Sequence, residues 1–145
     1  MILGATPRFD DLEVGAIVAK ADLTVTRGDL VRYAGASGDL NPIHFNDAVA
    51  AEVGLPGVLA HGMLTAGLAL QTVVDWIADP SAVVSYETRF TRPVVVDPLT
   101  GADLTVSAKV ARLDEVERTA RIDVTVSSGG QTVLGKTQAH IKLPA

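Results

Sequence analysis

The segment from Ser37 to Asp47 places a carboxylate, Asp39, and an imidazole, His44, five positions apart around a proline. These are side chains that general acid–base catalysis uses to move protons. Five residues advance a regular helix by more than a turn, so in a helix the two side chains would diverge. Pro42 has a fixed φ and disfavours helical backbone at Asn41. The segment is therefore predicted to turn and to aim both side chains into one cavity.

A third group for the same chemistry stands at Gly62, where a long apolar stretch begins. The first N–H groups of a helix have no internal acceptor and lie at the positive end of its dipole. A glycine there lets a thioester carbonyl approach the backbone closely. A carboxyl, an imidazole and an oxyanion donor suit the reversible loss of water from a 3-hydroxyacyl thioester. The residue types leave open which of Asp39 and His44 is the acid and which the base.

The hydrophobic pattern predicts the elements that must hold these groups. Residues 16–25 alternate as a strand, 26–36 form a short amphipathic helix, and 48–53 form a small helix that Gly54 and Pro56 end. Residues 62–78 are apolar around most of a helix and so predict an interior helix. After Pro80 the period changes to two, with strands at 83–91, 104–110, 122–126 and 131–143 and a hairpin turn at 129–130. The fold class is α+β, with an antiparallel sheet of five or six strands around a long central apolar helix, and residues 1–145 are predicted to form a single domain.

Composition narrows the classes of function. Twelve basic and seventeen acidic residues give a net charge of −5, and only six residues are aromatic, which disfavours a nucleic-acid-binding surface. The chain has no cysteine, and no signal peptide or membrane segment is recognised, so a cytoplasmic location is expected. The residues show no nucleotide-binding loop and no recognisable metal-ligand spacing, so no cofactor and no metal are expected.

Two blocks of sequence resemble the MaoC-like (R)-specific hydratases and dehydratases of the hot-dog fold: residues 33–47, YAGASGDLNPIHFND, and residues 59–65, LAHGMLT. The resemblance implies that Asp39 and His44 are the catalytic pair and that Gly62 supplies the oxyanion N–H. Within the family the chain looks most similar to the catalytic B subunits of actinobacterial (3R)-hydroxyacyl-ACP dehydratases. The implied activity is a hydro-lyase acting on acyl carrier protein thioesters in type II fatty acid synthesis, as a homodimer or a heterodimer with another hot-dog subunit.

Several alternatives stay open at this stage. The same blocks fit an (R)-specific enoyl-CoA hydratase in fatty-acid oxidation or polyhydroxyalkanoate precursor supply, a non-catalytic acyl-binding subunit, or, less favourably, a thioesterase. Asn41 is equally explained by an orienting role and by ordinary turn chemistry. His61, Val58 and Leu59 are expected to lie near the substrate, although a structural role for His61 in the turn before the helix explains it at least as well.

Overall fold

The computed structural model describes residues 5–145, in which one antiparallel sheet wraps around the longest helix. The described helices are α1 (Arg27–Ser37), α2 (Asp47–Glu52) and α3 (Gly62–Ile77), and the strands are β1 (Ile17–Val25), β2 (Val83–Phe90), β3 (Ala102–Asp114), β4 (Thr119–Ser128) and β5 (Gln131–Lys142). The strand order is β1-β3-β4-β5-β2. The five strands and the central helix confirm the predicted architecture, and most boundaries lie within two residues of the predicted ones.

The alternating pattern of β3 and β4 produces the concave, apolar face of the sheet. Val106 pairs with Val126, and Val110 pairs with Ile122, across the two strands. These four side chains are completely buried, and α3 packs on the same face through small and branched residues such as Ala69. Burying each large aliphatic side chain contributes about 1.5–3 kcal/mol. This packing fixes α3, whose first turn carries one of the predicted functional groups.

Helix α1 is held at both ends, and its end sets the direction of the chain toward Asp39. Thr26 and Asp29 form a capping box: the Thr26 hydroxyl accepts from the Asp29 N–H, and the Asp29 carboxylate accepts from the Thr26 N–H. At the other end Gly38 takes a left-handed conformation with φ +77°. Glycine adopts this conformation without the strain of a side chain, so the helix ends at Ser37, two residues before Asp39.

No helix within residues 5–145 is long and apolar enough to cross a membrane. The predicted domain runs over residues 1–145, of which residues 1–4 lie outside the described part, so this boundary stays a prediction.

Candidate active site

The turn that follows Asp39 contains a short 3-10 helix, Pro42–His44, which begins at the proline and ends at His44. The Asn41 side-chain oxygen accepts a hydrogen bond from the Ile43 N–H at 3.2 Å. One carboxylate oxygen of Asp39, Oδ1, accepts from the Asn41 N–H, also at 3.2 Å. Asn41 therefore stabilises the turn, and half of the Asp39 carboxylate does the same.

The other half of the carboxylate faces the imidazole. Oδ2 of Asp39 lies 3.8 Å from Nε2 of His44. The opposite ring nitrogen, Nδ1, lies 2.7 Å from the main-chain oxygen of Leu59. A carbonyl oxygen only accepts hydrogen bonds, so Nδ1 carries a proton and neutral His44 has its lone pair on Nε2. The basic nitrogen of His44 is thus the one that faces the carboxylate.

The distance between these two atoms decides what they can do together. At 3.8 Å the imidazole and the carboxylate are too far apart for a direct hydrogen bond. Both can contact a third small group, such as a water molecule or a substrate hydroxyl. His44 is 9% exposed, whereas the Asp39 carboxylate is half exposed and marks the solvent side of the pair. The arrangement can accept a proton at Nε2 and stabilise the resulting positive charge.

The buried side chain of His61 contacts both Asp39 and His44. Its Nε2 lies 3.2 Å from the main-chain oxygen of Asp39, which it can reach only as a donor. Its ring stacks on the ring of His44 with centroids 3.9 Å apart, and the ring of Tyr33 packs against it at 4.7 Å. His61 is only 1% exposed. The structure therefore places His61 in the buried layer behind Asp39 and His44, and its contact with a substrate stays a prediction.

Gly62, the first residue of α3, lies directly beside this cluster. The carbonyl of His61 accepts from the N–H groups of Leu64 and Thr65, so Gly62 comes before the first N–H groups that the helix satisfies. A Cβ atom at Gly62 would lie 2.9 Å from the ring of Phe90. Phe90 therefore crowds any larger residue at this position, which no pattern in the sequence indicated.

The two remaining predicted residues are Leu59 and Val58. Leu59 is half-buried and takes part through its main chain, since its oxygen orients His44 and its N–H donates to Ile43 O at 3.0 Å. Val58 is completely buried in the core, and its contact with a substrate stays a prediction. The next residue, Leu59, forms the bridge to Val95, and the Val58 carbonyl accepts a hydrogen bond from the Val96 N–H.

Three potential metal ligands, Asp39, His44 and His61, come together although their spacing along the chain gives no metal motif. One ligand atom from each lies within 4.8 Å of the others. The two imidazole rings are nearly parallel, with an angle of 24° between their planes. A ring nitrogen donates its lone pair in the plane of its own ring, so two stacked rings cannot direct both lone pairs at one ion. The arrangement suits proton transfer better than metal binding.

An apolar cavity of about 410 Å³ lies between β1, α1 and α3. Tyr33 forms part of its wall and packs against His61, which stacks on His44, so the rings of Tyr33 and His61 lie between the cavity and His44. Its other walls include Leu23, Ala36, Leu64 and Leu68.

Comparisons with known proteins agree with this geometry. Residues 13–130 match the family described as MaoC like domain. The chain is 35% identical over 138 residues to a 3-hydroxybutyryl-CoA dehydratase of Methylorubrum extorquens, covering 94% of this chain and 83% of that protein. It is 30% identical to an (R)-specific enoyl-CoA hydratase of Rhodospirillum rubrum, covering 94% of this chain and 92% of that protein.

Among solved structures, a MaoC-like dehydratase superposes with a TM-score of 0.92 at 40% identity. The match covers 96% of this chain and 43% of that longer chain. The fold, the family match and the full-length relatives agree, and the chain belongs to the MaoC-like family of hot-dog hydratases and dehydratases.

Proposed function

We propose that this hydro-lyase interconverts (3R)-3-hydroxyacyl and trans-2-enoyl thioesters, with Asp39 and His44 as the catalytic residues and the Gly62 N–H as the oxyanion donor. The observation that carries the proposal is the orientation of His44. Its Nδ1–H is bound to Leu59 O, and its basic Nε2 is directed at the Asp39 carboxylate. We place the water that is added or removed between His44 Nε2 and the Asp39 carboxylate.

The chemistry follows from that orientation. In the hydration direction, Asp39 Oδ2 and His44 Nε2 hold a water molecule, Nε2 takes a proton from it, and the oxygen attacks C3 of the enoyl group. The imidazolium then gives its proton to C2, which regenerates neutral His44. The Gly62 N–H holds the thioester oxygen while it carries negative charge. Dehydration runs through the same steps in reverse.

The carrier of the acyl group is the finer part of the proposal. The names of both relatives that align over most of their length contain coenzyme A. They favour a coenzyme A thioester over the acyl carrier protein thioester that the sequence resemblance implied. Because the chemistry is the same, we propose coenzyme A as the first carrier to test, with acyl carrier protein as the second.

The acyl chain has a candidate location in the apolar cavity that begins at Tyr33. Its walls come from β1, α1 and α3, and the charged residues among the lining, Asp29 and Arg32, are both on α1. This location differs from the expectation that Val58 and Leu59 contact the acyl chain. An apolar wall with few polar groups is typical of a site for a hydrocarbon chain.

The test is hydration of crotonyl-CoA and of a longer trans-2-enoyl-CoA by the purified chain, followed by the loss of enoyl absorbance. We expect turnover by the wild type and a loss of about 10² or more in kcat for Asp39→Asn and for His44→Ala. Matched controls are Asp22→Asn and His140→Ala, which lie on the strands and should turn over normally. Chiral analysis of the product should give the (3R) alcohol.

Other outcomes would point to the alternatives. Turnover only with an acyl carrier protein thioester would assign the carrier, and release of free thiol would indicate a thioesterase. Acyl-thioester binding without turnover, with or without a second hot-dog subunit, would indicate a non-catalytic acyl-binding subunit. If Asp39→Asn and His44→Ala both matched an active wild type, the assignment of the pair would be wrong.

A further inference from the structure

We infer that His61 is a positioning residue that sets the geometry of Asp39 and His44 together, through two separable contacts; this inference rests on the proposed function. One contact is the hydrogen bond from its Nε2–H to the Asp39 carbonyl oxygen. The other is the stacking of its ring on the ring of His44. No other described side chain makes a hydrogen bond or a ring stack with both residues of the pair.

The hydrogen bond matters because the main chain around Asp39 has little else to hold it. Residues 38–41 are all exposed, and the hydrogen bonds of Asp39 within the turn are to Ser37 and Asn41, its own neighbours. His61 is 22 residues away along the chain. The Nε2–H of His61 thus makes the hydrogen bond that joins this exposed turn to a distant, buried part of the chain.

The stack matters because it covers one face of the His44 ring. The centroids lie 3.9 Å apart, which is van der Waals contact between the rings. With Leu59 O holding Nδ1, the stack fixes the plane in which the Nε2 lone pair points. It also keeps water from that face of the ring.

The position of His61 is itself fixed by contacts with helix α3 and with two aromatic rings. Its carbonyl accepts the first two hydrogen bonds of α3, and its ring lies between those of His44 and Tyr33. The titratable groups that face it are His44, Tyr33 and Asp39. Its Nδ1 is buried with no hydrogen-bond partner among the described residues. A proton there would bury an unpaired donor, so His61 acts as a neutral ring with its proton on Nε2.

Two variants separate the two contacts. His61→Phe keeps an aromatic ring for stacking but removes the donor to Asp39 O. His61→Gln keeps an N–H at a similar reach but removes the ring. The division of the loss between kcat and KM distinguishes positioning from a general structural role, and thermal unfolding checks that each variant is folded. Asp39→Asn, measured beside them, tests the proposed function on its own.

We expect His61→Phe to lower kcat by about 10² with little change in KM, because Asp39 loses its hydrogen bond to His61. We expect His61→Gln to lower kcat by about 10 with little change in KM, because the ring of His44 loses its stacking partner. If both variants were folded and turned over like the wild type while Asp39→Asn was inactive, the positioning role would be refuted and the proposed function would stand.

A spectroscopic measurement tests the arrangement without turnover and also serves if a variant fails to fold. The chain has three histidines, so a long-range ¹H–¹⁵N spectrum of the wild-type imidazoles is simple. In their neutral forms, the His44 imidazole should be protonated at Nδ1 and the His61 imidazole at Nε2. The reverse tautomer at His61 would overturn the proposed hydrogen bond to Asp39 O.

Discussion

Single residues in this site carry two functions each, which explains why their types alone were ambiguous. Asp39 stabilises its turn with Oδ1 and faces His44 with Oδ2. The turn interpretation of this aspartate therefore applies to Oδ1, whereas the proposed catalytic role would use Oδ2. At Leu59 the residue type is equally uninformative, because the main-chain oxygen rather than the side chain selects the tautomer of His44.

Gly62 leads to a prediction at the scale of one residue. A Cβ there would approach Phe90 within 2.9 Å, and Phe90 is 56% exposed, so the ring can move away at some cost. We expect Gly62→Ala to lower the free energy of unfolding by about 1 kcal/mol, at the low end for an overpacked contact. In the double variant with Phe90→Ala, that additional cost should disappear.

The measurement is a double-mutant cycle by urea unfolding of the wild type, both single variants and the double variant. Phe90→Ala alone is the control for loss of the ring. Additive effects of the two substitutions would contradict the contact. Activity measured on the same four proteins would separate crowding by Phe90 from any requirement of the oxyanion donor itself.

At the scale of elements, the site depends on how β2 is joined to α3. The Tyr86 hydroxyl in β2 donates a hydrogen bond to the Ala66 carbonyl in α3 at 2.8 Å. Phe90, at the end of the same strand, packs against Gly62 at the start of the same helix. The strand therefore contacts the helix at two points, and one of them adjoins the proposed oxyanion donor.

Tyr86 allows a prediction about pH. Burial raises the pKa of Tyr86 to about 12 from an ordinary value of 10. The folded protein holds this proton more tightly than the unfolded chain, so the contribution is complete below pH 10 and is lost as the pH rises toward 12. Tyr86→Phe should cost about 1 kcal/mol at neutral pH through the lost hydrogen bond. It should also remove part of the decline in stability above pH 10.

Urea unfolding of the wild type and Tyr86→Phe, at neutral pH and at several values between pH 9 and 11, measures both effects. Ser85→Ala, which removes a hydroxyl from the neighbouring residue of the same strand, is the matched control. A difference between the wild type and Tyr86→Phe that stayed constant with pH would show that ionisation of Tyr86 does not affect folding.

At the scale of the whole molecule, the sheet ends in two strands that each have one hydrogen-bonded neighbour. β2 lies at one edge beside β5, and β1 lies at the other beside β3. An open edge that carries apolar side chains favours pairing with another chain. Val84 on β2 is 62% exposed, so β2 is the edge at which we expect the dimer implied by the family resemblance.

A charge on that edge should weaken association. We expect the wild type to sediment as a dimer of the 15.1 kDa chain and Val84→Lys to shift toward monomer, because lysine on an edge strand opposes pairing. Val116→Lys, at an exposed position in the turn between β3 and β4, is the control. A monomeric wild type, or equal association of both variants, would rule out a homodimer through this edge and leave the heterodimer with a second hot-dog subunit to be tested.

The sequence by itself determined the features that depend on neighbouring residues. The period of two predicted the strands, the apolar stretch predicted α3, and Pro42 predicted the turn that brings Asp39 and His44 together. These are properties of local backbone geometry and of which face of an element is apolar, so a short stretch of residues contains them. The family resemblance rested on the same two local blocks.

Only the tertiary structure decided which distant residues complete the site. His61 lies behind the pair, Phe90 covers Gly62, and Val58 is buried in the core. Each of these facts depends on how α3 and β2 pack against the turn, and no spacing along the chain records that packing. The local sequence around His61 does not show whether its ring faces a substrate or a second imidazole. Contacts between distant segments form only when the core has formed.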